Sequence, residues 1–232
     1  GNLDEAGITT FCTGTSCTVL TWYDQSQTGG TGSGNDATAA STGVEPTIYT
    51  GGAIVKENGK VALDFEVADY MQINYGTVYS QPISYFLTQT WPTNITSTFQ
   101  AMMDGENASY RHIYRIDNNN STFTFAATTS ISATDNIIDN SQVLSSMLAY
   151  GSGSFVYING VQKITGNAGT TASDGITLGA VFNGALGAAF KSQEFIIYPS
   201  DKSTVRTSIE SNVGDYFTQN TPLLDTYTGA AA

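Results

Sequence analysis

Charged residues are scarce in this 232-residue chain, and basic ones are the scarcest. Only 12% of the residues are charged, about half of the usual share. Eight Lys plus Arg stand against 20 Asp plus Glu, which gives a net charge of −12. A chain with this charge repels nucleic-acid phosphates and anionic membrane surfaces, so we expect neither as a partner.

Long apolar runs and histidine are scarce as well. No apolar run approaches the roughly 20 residues that span a bilayer, so we expect no membrane insertion. The single histidine, His112, and one pair of cysteines cannot complete a tetrahedral zinc shell, so we expect no metal centre of that kind. No Ser or Cys nucleophile motif accompanies His112, which favours a structural or surface residue over a general base.

The chain has two cysteines, Cys12 and Cys17, five positions apart. Gly, Ser, Thr and Asn take the place of charged residues, a composition typical of loop-rich extracellular β-proteins. We therefore expect a disulfide between the two, with a pair of buried free thiols as the alternative. A bridge that closes so short a loop stabilises the fold by only about 2 kcal/mol, because it restricts the unfolded chain locally.

Four Asn-x-Ser/Thr sequons begin at Asn94, Asn107, Asn119 and Asn120. Several such matches arise by chance in a chain rich in Asn and Thr. They matter only if the protein passes through a eukaryotic secretory pathway. N-glycosylation at these residues is therefore a conditional prediction.

Short strand-like runs, separated by Gly, Asn and Ser clusters, make up most of the sequence. They cover residues 18–23, 47–49, 60–65, 70–73, 83–90, 98–103, 111–116, 122–126, 142–150, 153–158, 175–178 and 193–198. Several alternate apolar and polar residues, as half-buried antiparallel strands do. Asn159-Gly160 adds a strong signal for a two-residue hairpin turn. This pattern predicts an all-β sandwich or barrel.

Two segments predict helices at the ends of this β-rich region. Residues 3–11 can form a short helix with Asp4 near its N-terminal end, where the helix dipole favours an anion. The segment 200–217 has apolar residues at helical spacing, and we expect it to lay this stripe on the sandwich: Val205, Ile209, Val213 and Phe217.

Two groups of residues are candidates for ligand contacts. Four aspartates can gather around Ca²⁺, although no loop shows EF-hand spacing and Asp also caps turns: Asp24, Asp36, Asp64 and Asp69. Aromatic side chains, above all Trp22 and Tyr23, predict a shelf on which sugars can stack, with packing in the core as the alternative.

The stretch FCTGTSCTVLTWYDQS (11–26), followed by GNDAT (34–38), resembles the catalytic β-sandwich of family-54 α-L-arabinofuranosidases. It also resembles the laminin-G- and concanavalin A-like jelly-roll modules of bacterial and viral surface proteins. Four later segments match this group in the same order: EPTIYTGGAIVKENGKVALDF, FVYINGVQ, GITLGAVFNG and EFIIYPSDKSTVRTSIESNVGDYF. The resemblance implies a concanavalin A-like antiparallel β-sandwich with a short N-terminal helix and one C-terminal surface helix.

The same resemblance implies that catalytic residues are missing. The arabinofuranosidase acid/base is an Asp just after the Leu-Gly of a late strand, but residues 178–184 of this chain contain no carboxylate. The family nucleophile is a Glu in a mid-domain strand, and the matching segment 111–116 contains no Glu. Asp104, Glu106 and Asp117 lie nearby, in MDGEN and IDNNN, which are typical of polar turns. We therefore expect no catalytic residues.

The two ends of the chain bear on domain organisation and assembly. We expect one sandwich domain over residues 1–220 and a tail over 221–232. In the surface proteins of this group a stretch like LLDTYTGAAA opens the module, whereas here it comes last. Its apolar residues Leu223, Leu224 and Tyr227 suit docking on a neighbouring module or identical subunit, as in strand donation. A piece of a tandem array and a solvated tail are the alternatives.

Together these observations favour a non-catalytic extracellular module on a cell or virion surface. We expect structural and adhesive work through head-to-tail self-assembly into a fibre, filament or array. A carbohydrate-binding lectin-like module is the first alternative, and a divergent α-L-arabinofuranosidase-like glycosidase is the second. Apart from the calcium alternative, we expect no cofactor.

Overall fold

The computed structural model describes residues 3–26, 34–90, 99–117, 122–134 and 141–217. Nearly all regular structure in these ranges is strand. The strands, in chain order, are β1 (Cys17–Thr18), β2 (Thr21–Trp22), β3 (Ala37–Ala39), β4 (Thr47–Thr50), β5 (Ala53–Ile54), β6 (Lys56–Glu57), β7 (Lys60–Val61), β8 (Leu63–Phe65), β9 (Met71–Tyr79), β10 (Ile83–Thr90), β11 (Phe99–Gly105), β12 (Ile113–Asp117), β13 (Thr122–Ala126), β14 (Ser130–Thr134), β15 (Gln142–Ala149), β16 (Ser154–Ile158), β17 (Val161–Gly166), β18 (Ser173–Leu178) and β19 (Phe190–Tyr198).

These strands form two antiparallel sheets that pack face to face. Sheet A has the order β1-β4-β8-β19-β10-β15-β16-β17, with β5 paired to β4. Sheet B has the order β14-β13-β12-β11-β18-β9-β3-β2, and β6 and β7 form a separate hairpin. Many neighbours within a sheet are distant in sequence, so the chain crosses repeatedly between sheets. The predicted antiparallel β-sandwich is confirmed.

The core lies between the sheets and follows from the alternation of the strands. Phe123 and Phe125 of β13 point inward, as do Tyr85 and Leu87 of β10 in the opposite sheet. All four side chains are fully buried. Alternate residues of the same strands therefore point to the two outer faces, where any exposed binding surface has to be built.

The predicted N-terminal helix is confirmed as α1, Glu5–Cys12. The Asp4 carboxylate caps it by accepting a hydrogen bond from the Gly7 amide at 2.9 Å. The last residue of α1, Cys12, forms the predicted disulfide with Cys17 of β1, with Cα atoms 5.9 Å apart. The bridge thus ties the helix to the first strand of sheet A.

The predicted C-terminal helix is confirmed as α2, Arg206–Phe217. Val213 and Phe217 are buried with Phe86 and Leu144 of sheet A, so α2 covers part of the outer face of that sheet. Val205 does not join this stripe. It belongs to the 3₁₀ turn Ser203–Val205 that precedes α2, and 47% of its surface is exposed. The prediction is therefore wrong for Val205, because the α-helical spacing begins one residue later.

The predicted hairpin turn is confirmed between β16 and β17. Asn159 and Gly160 both have positive φ, 50° and 74°, as a two-residue turn that follows the strand twist requires.

Several predictions concern residues outside the described ranges. These are the sequons at Asn94, Asn119 and Asn120, the domain boundary at 220 and the tail residues Leu223, Leu224 and Tyr227. They stay predictions. In the part of the chain that is described, no helix is both long and apolar enough to cross a membrane.

Candidate functional site

Strand register determines which side chains reach the outer face of sheet B. Met71 and Ile73 of β9 pair with Leu178 and Ile176 of β18, and all four side chains join the core. The residues between them therefore point outward. A continuous row of polar residues follows across five strands: Thr21, Thr38, Gln72, Thr177 and Asp104.

Asp104 reaches this face because β11 contains an extra residue. The register of β11 against β12 shifts between Ala101 and Met103, as in a β-bulge. Met102 and Met103 both lie in the core, and the next residue, Asp104, points outward. Regular alternation would instead direct its carboxylate into the core. The expectation of polar turns is wrong for Asp104, a buried strand residue, and for Asp117, the last residue of β12.

The Asp104 carboxylate is saturated by donors of this chain. Arg111 Nε lies 3.1 Å from Oδ1 and 3.0 Å from Oδ2, and Arg111 Nη2 lies 2.6 Å from Oδ2. The backbone amide of Gly105 donates to Oδ1 at 2.8 Å, and that of Phe182 donates to Oδ2 at 3.1 Å. These donors occupy the roughly four lone-pair positions of a carboxylate. Asp104 is fully buried, and its contacts hold Arg111 and Phe182 in position.

The loop between β18 and β19 lies over the same face. Gln72 Nε2 donates to the Phe182 carbonyl at 3.2 Å and to Thr177 Oγ1 at 3.3 Å. The Phe182 amide and carbonyl groups are thus both hydrogen-bonded to residues of the polar row, to Asp104 and Gln72 respectively. The centroid of the half-buried Phe182 ring lies 5.1 Å from Arg111 Cζ, a cation–π contact. Gly179 begins this loop with φ +93°, and a Cβ there would lie 2.6 Å from the Asp69 carbonyl oxygen.

A second arginine lies over a second phenylalanine on this face. Arg115 Cζ of β12 is 4.2 Å from the centroid of the Phe99 ring. Arg115 Nε is 3.3 Å from Asp117 Oδ1, and Thr124 Oγ1 donates to Asp117 Oδ2 at 3.1 Å. The chain has three arginines, so two of them lie on one face of one sheet.

Apolar side chains lie beside these two Arg–Phe pairs. Ala101, Ile113, Ala126 and Val181 form a buried cluster separate from the main core, and the partly buried Phe99 packs against it. Ile113 lies between Arg111 and Arg115 in the chain. We call the whole set the platform: Gln72, Phe99, Arg111, Ile113, Arg115, Asp117, Val181 and Phe182.

A third carboxylate lies beside the polar row. Glu106 Oε1 accepts a hydrogen bond from Asn74 Nδ2 at 3.2 Å. The two side chains meet beside Gly175, where an added Cβ would lie 2.7 Å from the Glu106 Cβ. Glycine at this position therefore permits the contact.

His112 follows Arg111 in the chain but belongs to the core. Its Nε2 lies 2.7 Å from the Thr171 carbonyl oxygen, so Nε2 carries the hydrogen and donates. Nδ1 then accepts from the Tyr85 hydroxyl at 2.6 Å. Burial lowers the pKa of His112 to about 4, which keeps the ring neutral at neutral pH. His112 is a buried structural residue, in agreement with the sequence-based prediction.

The two residues predicted to stack on sugars lie in different environments. Trp22 of β2 packs against the main core, so its ring belongs to the framework. Tyr23 is 65% exposed and follows the last strand of sheet B. Tyr23 thus remains a candidate for a glycan contact at the edge of the platform's sheet.

The one sequon asparagine in the described ranges is Asn107. Its Nδ2 donates to Asp174 Oδ2, and its Oδ1 accepts from the Ser109 amide at 2.8 Å. An N-linked glycan would attach through that nitrogen. The folded protein thus engages this amide internally.

The four aspartates named for calcium form two pairs. Asp36 Oδ1 accepts from the Asp24 backbone amide at 2.8 Å. Asp64 and Asp69 interact electrostatically, and burial is the main cause that raises the pKa of each. Among the described residues, no three His, Cys, Asp or Glu side chains are arranged to hold a metal ion. Calcium binding stays a prediction.

A shallow, open depression on α2 is a weaker candidate site. Five residues line it: Thr207, Ser208, Ser211, Asn212 and Asp215. None of these five carries a ring or an apolar surface on which a ligand can pack.

The two segments that meet on the platform are also the ones in which the resemblance places the catalytic carboxylates that this chain lacks. They are residues 178–184 and 111–116. In the structure Phe182 of the first contacts Arg111 of the second. Gln72 and Phe99 were missed as ligand candidates, because only the register of distant strands brings them to this face.

No protein-family model matches this chain, and no curated protein matches it. Among solved structures, it is similar to Trypanosoma rangeli sialidase in complex with the inhibitor DANA. That match has 13% identity and a TM-score of 0.51, and it covers 78% of this chain and 29% of the sialidase. The botulinum neurotoxin serotype G binding domain matches with 14% identity and a TM-score of 0.51, over 87% of this chain and 51% of that one.

The carbohydrate-binding module CBM66 from Bacillus subtilis is a looser match. It has 10% identity and a TM-score of 0.41, over 58% of this chain and 85% of the module. That likeness is too loose to bear on the site. The chain spans under a third of the sialidase and about half of the toxin domain. At these identities the matches to both show a shared fold and nothing finer.

Proposed function

We propose that this chain, which is a concanavalin A-like antiparallel β-sandwich module, binds carbohydrate on its platform without hydrolysing it. The observation that carries the proposal is the pairing of two arginines with two phenylalanines on the outer face of sheet B, above a buried apolar cluster. Sugar C–H faces pack on aromatic and apolar surface, while their hydroxyls need donors and acceptors nearby. Similar sandwiches in a sialidase and in a toxin's binding domain are compatible with such a role.

The state of the three carboxylates supports binding rather than hydrolysis. Most glycosidases use one carboxyl group that donates a proton and a second that attacks the sugar or activates water. Asp104 is buried and saturated, Asp117 faces Arg115, and Glu106 accepts from Asn74. Each is thus engaged by a neighbouring side chain of this protein.

The disulfide between Cys12 and Cys17 supports a location outside the cytosol, where such bridges persist. We place the module's work in an extracellular or surface setting, as expected for a protein that meets glycans there. This placement can be tested on protein isolated from its native source after free thiols have been blocked. The Cys12–Cys17 bridge should then be found intact by mass spectrometry.

Replacement of the Phe182 ring tests the platform directly. We expect Phe182→Ala to weaken glycan binding about tenfold, because a lost ring contact costs roughly 1 kcal/mol or somewhat more. Affinities would be measured by calorimetry for sugars first identified on a glycan array. The matched control is Phe155→Ala, which removes a half-buried ring from β16 of sheet A.

Equal losses in Phe182→Ala and Phe155→Ala would contradict a site on sheet B. Release of sugar from the bound glycans by the wild-type protein would contradict the non-catalytic part of the proposal. In that case Asp117→Asn and Glu106→Gln would identify the carboxylate responsible.

A further inference from the structure

We infer that the platform selects uncharged glycans, and that its own carboxylates keep acidic sugars out. This inference rests on the proposed function, since it names the class of glycan for the same site. Two arginines on one face suggest, at first sight, a site for a carboxylate or sulfate. The partners of those arginines lead to the opposite conclusion.

The first arginine already holds a carboxylate. Arg111 directs Nε and Nη2, one edge of its guanidinium group, at Asp104, with the shortest contact at 2.6 Å. That edge is one of those with which arginine binds a carboxylate through two parallel hydrogen bonds. Asp104 is fully buried beneath it and cannot move aside for a ligand. A guanidinium group has five N–H donors, so donors remain for neutral hydroxyl groups.

The second arginine also lies beside a carboxylate, through an ion-pair contact rather than a hydrogen bond. Arg115 Nε lies 3.3 Å from Asp117 Oδ1, and both side chains are about a quarter exposed. An acidic sugar at Arg115 would therefore approach Asp117 as well. The repulsion by Asp117 then offsets the attraction to Arg115, because the two opposite charges lie side by side with the same exposure.

The remaining charges on the face act in the same direction. Glu106 adds a third carboxylate beside the polar row, against two guanidinium groups. The chain as a whole carries a net charge of −12, which also opposes the approach of an anion. Sugar hydroxyls both donate and accept hydrogen bonds, so they can pair with arginine and carboxylate at once. Neutral sugars are thus the class of ligand that can form hydrogen bonds with both kinds of group on this surface.

A panel of immobilised oligosaccharides tests the inference. One half would end in neutral hexoses, pentoses or N-acetylhexosamines, and the other would carry sialic acid, glucuronic acid or sulfate on matched cores. We expect binding to the neutral half, with affinity that changes less than about twofold between roughly 50 and 500 mM salt. Acidic versions of a bound glycan should bind at least about tenfold more weakly.

Removal of one platform carboxylate provides a gain-of-binding test. We expect Asp117→Asn to raise the affinity for acidic glycans about fivefold, since it frees the Arg115 charge and keeps an oxygen for Thr124. Asp215→Asn, on the exposed side of α2, makes the same change in net charge away from the platform and should have no such effect. Glu106→Gln is a second variant that retains an acceptor for Asn74.

The outcomes separate the inference from the proposed function. If acidic glycans bind best and Phe182→Ala abolishes that binding, the selection of neutral sugars is overturned while the binding site stands. If neither carboxylate variant that folds raises acidic binding, the role of the carboxylates is wrong. If no oligosaccharide binds, or binding ignores Phe182→Ala, the proposed function fails and the inference with it.

Discussion

At the scale of single residues, the protein places its polar side chains in the interior in two different ways. Arg111 and His112 are neighbours in the chain, yet Arg111 pairs with Asp104 on the outer face and His112 lies in the core. The buried Asp104 carboxylate finds its partner in Arg111, whose side chain is partly exposed. The buried imidazole avoids charge altogether, because its two nitrogens are engaged by Tyr85 and Thr171 in the neutral form.

The state of His112 makes stability depend on pH. Its pKa is lowered from 6.5 to about 4, so between these values the unfolded chain binds a proton that the folded protein does not. Its contribution to stability is therefore complete above pH 6.5 and is lost as the pH falls. The free energy of unfolding should drop by about 2 kcal/mol between roughly pH 7.5 and pH 5 on this account.

Urea unfolding of the wild type and of His112→Gln at these two pH values measures the effect. The variant lowers stability at both, but its pH dependence should be flatter by about the same 2 kcal/mol. The raised pKa values of Asp64, Asp69 and Glu194 act in the opposite sense, since protonation there favours the folded state. Because both proteins share these carboxyl groups, the comparison removes their contribution. Identical slopes in both proteins would contradict the role given to His112.

At the scale of elements, the sequence predicts most strands and both helices, and it fails where packing decides. Residues 83–90 and 122–126 were predicted and are β10 and β13 with the same bounds. The strand β14, Ser130–Thr134, is not evident from the sequence, because Ile131 is its one large apolar residue and Ser and Ala have low strand propensity. The bulge in β11 was also invisible, although it alone turns Asp104 toward the platform.

The contrast between Val213 and Val205 tests which helical residues hold α2 on sheet A. Val213 is 5% exposed and Val205 is 47% exposed. We expect Val213→Ala to lower the free energy of unfolding by about 1.5 kcal/mol, at about 0.8 kcal/mol for each buried carbon removed. The same change at Val205 should stay within about 0.5 kcal/mol, as surface substitutions do. Chemical denaturation measures the free energy of unfolding of both variants. Equal losses in the two would contradict the boundary of α2.

At the scale of the whole molecule, the two outer faces of the sandwich have different partners. Part of the outer face of sheet A is covered by α2. The outer face of sheet B carries a half-exposed aromatic and polar surface, partly covered by the loop from Gly179 to Gly187. The similar solved structures share the sandwich at low identity, so they identify the fold, whereas the proposal of glycan binding depends on this chain's own side chains.

Self-assembly through the C-terminal tail remains a separate prediction. Leu223, Leu224 and Tyr227 lie outside the described residues, and their apolar character in the sequence is what motivates it. If the tail docks on another copy, deletion of residues 221–232 should convert assemblies into folded monomers. Sedimentation and circular dichroism of the full and shortened chains measure this. Persistent assembly of the shortened chain would contradict tail docking.

By itself, the sequence determined the class of this protein: a β-sandwich with a short disulfide loop and one helix on either side of the strands. Period-two alternation, Asn-Gly turns and helical spacing are local signals, so one chain suffices to show them. Only the tertiary structure decided which residues meet. Gln72, Asp104, Arg111 and Phe182 come from four distant segments, and strand register with one bulge brings them to one face.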